Sequence, residues 1–155
     1  MANVAEDFLM SPSPDITIER IDFANSAVPE YAGMYAVILD NVLSPAECKT
    51  LLHLAEAQTS GKWERAMVNI GGGKQKMYTD VRNCGRIIWD STDMVSRIWK
   101  RVENHVPEIE RLQNMPKITG LGPTKRGETW KVTRLNERMR FLKYEGGEYF
   151  RRQFP

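Results

Sequence analysis

The sequence predicts an α+β domain. Three observations carry that expectation. Short runs of strand-forming residues recur along the chain, two capped amphipathic helices lie between them, and glycine and proline break the polar stretches that join these elements. The 155 residues are a one-domain length. Hydrophobic residues, at 41%, fall slightly below the usual globular range, so a core is expected but not a generous one.

Residues 1–30 hold Pro12, Pro14 and Pro29 among polar residues without a sustained period. They read as a flexible lead-in in which residues 16–21 are an edge-strand candidate, leaving 31–155 as the domain. Tyr35-Ala36-Val37-Ile38-Leu39 is a short apolar strand. A helix start follows: Ser44 is an N-cap, Pro45 takes the first helical position and Glu47 completes a capping box. Leu51, Leu52, Leu54 and Ala55 give that helix an apolar face through Gln58.

Residues 63–68 read as a strand that runs into Gly71-Gly72-Gly73-Lys74. That glycine run is not a phosphate-binding loop. The Walker pattern needs a glycine five residues before the Gly-Lys pair and a Ser or Thr after it, and Val68 and Gln75 stand there. A loose hairpin turn is the plain reading, and a mobile loop closing over substrate is the functional one. In residues 82–90, Ile87 and Trp89 alternate with Arg86 and Ile88, which predicts a half-buried strand. Ser91 or Thr92 then caps a helix whose apolar residues Met94, Val95, Ile98, Trp99 and Val102 recur at helical spacing as core, and Pro107 ends it. Residues 108–129 are expected to be loop, broken by Gly120, Gly122, Pro123 and Gly127. Residues 130–132 enter a last long strand that continues through 135–144. Met139 and Phe141 face one side of it, and Arg140, Leu142 and Tyr144 the other. Glu145-Gly146-Gly147 makes a turn, and Tyr149-Phe150-Arg151 starts a further strand.

Charge and targeting signals exclude several function classes. A net charge of +2 with pI near 8.6 is too balanced for a nucleic-acid footprint, and Lys74, Lys76, Lys125 and Arg126 are scattered in loops. No nucleic-acid partner is expected. Residues 1–10 carry Glu6 and Asp7 and lack an apolar signal-peptide core, and no apolar run reaches membrane-spanning length. A cytoplasmic or nuclear protein without a membrane partner is the expectation, and Cys48 and Cys84 are too few for a disulfide framework. His53 and His105 lie on different predicted helices without a second ligand at metal spacing. Cys48 and His53, five residues apart, fall on different helix faces.

Two segments resemble a known family. Residues 135–150, Leu-Asn-Glu-Arg-Met-Arg-Phe-Leu-Lys-Tyr-Glu-Gly-Gly-Glu-Tyr-Phe, place Tyr144, Gly147 and Phe150 in a Tyr-x-x-Gly-x-x-Phe pattern. Arg82-Asn83 is followed by a short strand ending in the acidic Asp90, with a helix after it. Both are similar to the prolyl 4-hydroxylase-like family of Fe(II)/2-oxoglutarate dioxygenases, and the likeness spans residues 35–152. The resemblance implies the N-terminal, helix-bearing part of a double-stranded β-helix, or jelly roll. It implies an oxidoreductase that hydroxylates a peptide or small molecule with dioxygen, with Fe(II) and 2-oxoglutarate as cofactors and ascorbate left open. Tyr144 matches a tyrosine that faces the cosubstrate, and Asn136, Arg138 and Arg140 match the strand before the iron site, where a structural role is favoured for Asn136 and Arg138.

In that family the segment leads into His-x-Asp, the first two iron ligands. The corresponding positions here hold Gln153, a neutral amide, and Pro155, which has no side-chain donor. The expectation is therefore a truncated or degenerate relative with an incomplete domain, without metal ligands or catalytic residues of its own and inactive as these 155 residues. The alternative is a non-catalytic binding module that docks on a partner protein. Self-association through unpaired strands is expected in either case.

Overall fold

The computed structural model describes residues 4–13 and 15–151. Strands and helices mix in it, with four small antiparallel sheets, as an α+β class requires. The chain divides into two compact units, one taking in Pro45–Ser91 and the stretch from Glu137 onward, the other Asp7–Ser44 and Thr92–Asn136.

The first unit is built on a three-stranded antiparallel sheet of β3 (Glu64–Arg65), β7 (Gly85–Asp90) and β8 (Arg138–Lys143), in the order β3-β7-β8. β7 and β8 pair over six residues, from Gly85 opposite Lys143 to Asp90 opposite Arg138. The register sets Ile87 opposite Phe141 and Trp89 opposite Met139, so one face carries all four apolar side chains. Trp89 and Phe141 stack with ring centroids 6.4 Å apart. Helix α1 (Pro45–Gln58) packs on β7, and its Ala55 is fully buried, as are Cys84 and Ile87. The start at Pro45 and end at Gln58 are those the capping pattern predicts. Gly85 has a packing reason: a Cβ there would lie 3.3 Å from Cβ of Trp63.

Two further pairings complete this unit. β4 (Val68–Asn69) and β5 (Gln75–Lys76) form a hairpin around Gly71–Gly73, whose φ angles are +89°, +57° and +72°. The glycine run is thus a turn with left-handed backbone. β6 (Arg82–Asn83) pairs with β9 (Tyr149–Phe150), bringing Arg82 opposite Phe150. Gly147, at φ +84°, supplies the turn between β8 and β9.

The second unit holds β1 (Thr17–Arg20) paired antiparallel with β2 (Val37–Asp40), and helix α2 (Thr92–Val102). Met94, Val95 and Val102 are buried on α2, together with Leu9, Val106 and Leu112, while Ile98 and Trp99 are half-buried. Arg101 is buried and donates through Nε to the Leu9 carbonyl (3.3 Å) and through Nη1 to that of Val42 (2.9 Å). Arg97 Nη1 donates to the Phe8 carbonyl at 2.7 Å. Backbone carbonyls thus accept from both guanidiniums, and Arg97 also pairs with the Asp93 carboxylate at 3.1 Å.

The structure corrects five of the sequence expectations. Residues 63–68 are not one strand: β3 ends at Arg65, one further bond runs from Ala66 N to the Cys84 carbonyl, and β4 then turns into its own hairpin. Arg86 does not face solvent; it is buried because Glu64 and Gln75 receive its donors. α2 stops at Val102, five residues before Pro107, and the chain continues in 3-10 turns at Glu103–His105 and Pro107–Ile109. Residues 108–129 are not all loop: α3 (Pro116–Thr119) and α4 (Leu121–Lys125) form there, separated by Gly120 at φ +88°. Residues 130–132 do not enter β8; Trp130 makes only an isolated bridge with Leu112.

The core face of β7 generates a test. Ile87→Ala is expected to cost about 2–5 kcal/mol, because Ile87 is fully buried. Leu142→Ala, at a position 42% exposed on the other face, should cost under about 1 kcal/mol. Urea unfolding followed by tryptophan fluorescence compares the two. Equal costs would contradict this assignment of faces.

Candidate functional site

The side chains with most chemistry gather on the second face of the first unit's sheets. Along β6 and β7, Arg82, Cys84, Arg86, Ile88 and Asp90 alternate onto one side. Opposite them stand Phe150 on β9 and Leu142, Arg140 and Arg138 on β8. One residue beyond the Gly85–Lys143 pair, the same register carries Tyr144 to the level of Cys84.

Each arginine in this row meets a different environment. Arg138 makes a bidentate pair with Asp90 at 2.8 and 2.7 Å, and its fork holds the Asp90 carboxyl below the ordinary range. Arg86, 3% exposed, donates through Nε and Nη2 to Oε1 of Glu64 (2.9 and 2.8 Å) and through Nη1 to Oε1 of Gln75 (3.2 Å). Arg82 instead lies over the Phe150 ring, 4.7 Å from its centroid.

Tyr144, the residue expected to face a cosubstrate, is 46% exposed at the end of this row. Its phenol is held above its ordinary value. The hydrogen bond with the Cys84 thiol is the largest cause and burial adds to it, while the Arg82 guanidinium works in the opposite sense. Tyr144, Cys84 and Arg82 are therefore neighbours. Around the turn, Arg65 donates to Glu148 and holds its carboxyl below the ordinary value, helped by Glu145 N donating to Glu148 Oε2 at 3.0 Å. Tyr149 Oη donates to the Thr79 carbonyl at 2.9 Å, which ties β9 down.

The other residues singled out in the sequence are not brought into this row. His53 is exposed on α1, Cys48 is exposed on the same helix, and His105 lies in a 3-10 turn of the second unit. Lys76 belongs to the β4–β5 hairpin, where its ammonium sits 5.1 Å from the centroid of the Tyr78 ring. Gln153 and Pro155, the positions matched to the iron ligands, lie outside the described residues. Among the described residues no group of three or more His, Cys, Asp or Glu is placed to hold a metal ion. No helix there is long and apolar enough to cross a membrane. Sequence reasoning passed over Cys84 as an ordinary residue. Only the pairing of β7 with β8, across more than fifty positions of sequence, reveals its tyrosine neighbour.

No family model, curated protein or solved structure matches the chain.

Two tests follow from this geometry. Tyr144 is expected to ionise above the ordinary tyrosine value of 10.0, and Cys84→Ala should bring it down, read as phenolate absorbance against pH and assigned with Tyr144→Phe. An unshifted Tyr144 would mean that the two side chains do not meet. The acid side has the opposite sign. Glu148 and Asp90 have folded-state values below their ordinary 4.5 and 3.8, so the unfolded chain takes up protons first as pH falls. Their contribution is present above those ordinary values and lost as pH drops through the lower folded ones. The urea midpoint should fall over that range, and Arg65→Gln should flatten the part due to Glu148.

Proposed function

We propose that the chain is the helix-bearing N-terminal part of a prolyl 4-hydroxylase-like Fe(II)/2-oxoglutarate dioxygenase domain of the jelly-roll type. Its reaction class is hydroxylation of a peptide or small molecule, and Tyr144 faces the cosubstrate. One observation carries the reading. The two segments that resemble the family, residues 82–90 and 135–150, are far apart in sequence yet pair with each other twice, β7 with β8 and β6 with β9. Segments matched by accident have no reason to share a register. The Tyr144 hydroxyl, half-exposed beside the Arg82 guanidinium, suits an oxyanion.

The described residues assemble no iron-ligand set. What these residues supply is a sheet face and a phenol–guanidinium pair at its end. The reading requires two histidines and a carboxylate from further chain. A second reading, a non-catalytic module that docks on a partner, draws on Leu142, Tyr144 and Phe150, large side chains left 42%, 46% and 51% exposed on one face. Among the described residues β8 is an edge strand of its sheet, which suits strand pairing with another chain or a second copy.

The test is to sequence the transcript past codon 155 and to assay two proteins, the 155-residue chain and the chain extended by the reading frame found there. The extended protein should decarboxylate 2-oxoglutarate with Fe(II), with a raised KM for 2-oxoglutarate in Tyr144→Phe, and the shorter chain should not. If no downstream frame encodes a His-x-Asp and a later histidine, the dioxygenase reading fails and the docking module takes its place.

A further inference from the structure

Among the described residues, one buried side-chain nitrogen or oxygen lacks a hydrogen-bond partner: Nε of Arg82. The contrast with its neighbours on the same face is chemical. Arg86 spends its Nε and both Nη groups on Glu64 and Gln75, and Arg138 spends Nε and Nη2 on Asp90. Among the described residues, no carboxylate or amide accepts from Nε of Arg82. The π-face of Phe150 offsets part of its charge but accepts no strong hydrogen bond.

A guanidinium presents Nε–H and one Nη–H as a parallel fork that matches two oxygens of a carboxylate or phosphate. Arg82 holds that fork in an environment already stripped of water at Nε, where a charge-assisted bond is strongest. The Tyr144 hydroxyl beside it is a further donor. The cover over Nε is light. Phe150, whose ring centroid lies 4.7 Å from Arg82 Cζ, belongs to a two-residue strand and is 51% exposed, so its side chain has room to move aside.

We infer that Arg82 is the binding residue of an anion site, which takes the carboxylate or phosphate head of a small organic acid side-on through Nε and Nη, with the acid's apolar body against Phe150. The site shares Arg82 and Tyr144 with the dioxygenase reading and deepens it, but binding is read without iron or turnover, so failure of the oxygenase assay and failure of anion binding are told apart.

Benzoate and phenyl phosphate are the probes, since they share an apolar body and differ in the head. At constant ionic strength, the side-chain Nε–H resonance of Arg82 in the unaltered chain should shift and saturate with at least one of them. Tighter benzoate binding assigns a carboxylate head, and tighter phenyl phosphate binding a phosphate head. Arg82→Gln should weaken binding by roughly tenfold or more, the scale of one charge-assisted bond. Arg82→Lys should not restore it, because lysine keeps the charge and loses the fork. Arg140→Gln, an exposed cation of the same face, should bind as the unaltered chain does. Near-ultraviolet circular dichroism checks that each variant is folded, and the resonance of the unaltered chain needs no variant at all. No saturable shift with either probe overturns the inference. So does equal weakening in Arg140→Gln, which would mean general attraction to a basic face.

Discussion

The antiparallel ladder between β7 and β8 is the constraint on which the first unit depends. Its six in-register pairs decide which side chains share a face. A slip of one residue would turn Ile87 and Trp89 toward the arginine row and send Arg86 and Asp90 into the apolar layer. Burial of Ile87 and the stacking of Trp89 on Phe141 oppose that slip from one side. The bidentate Arg138–Asp90 pair, at the end of the same ladder, opposes it from the other. Sheet register and charge pairing therefore reinforce each other.

Buried arginine is handled in two ways, one in each unit. In the first, Arg86 is taken out of water only because Glu64 and Gln75 meet it. A guanidinium there without them would carry the full cost of a desolvated charge. In the second, Arg101 has backbone carbonyls of Leu9 and Val42 as acceptors, so one side chain on α2 ties down the segments that contain them. Arg82 follows neither pattern, which is why it stands out chemically and not by position alone.

The functional reading rests on pairing more than on any single residue. Tyr144 alone is an exposed tyrosine at a strand end. Its proximity to Cys84 and Arg82 comes from the ladder that also joins the two family-like segments. The helical part of the chain contributes by support: α1 packs on β7, the strand that carries Ile87 and Arg86 on its two faces.

Local signals in the sequence determined several features directly. Ser44-Pro45 with Glu47 marked the start of α1, Ser91 or Thr92 the start of α2, and Gly147 the turn into β9, because caps and left-handed turns depend on a few adjacent residues. The two-sided character of β8, with Met139 and Phe141 inward, was legible from alternation alone. Only the tertiary structure decided the rest. Residues 63–68 split because β4 found a partner in β5, and Arg86 went inside because Glu64 and Gln75 reached it. The Tyr144–Cys84–Arg82 cluster exists because strands distant in sequence align. No periodicity along one segment encodes what a second segment will place opposite it.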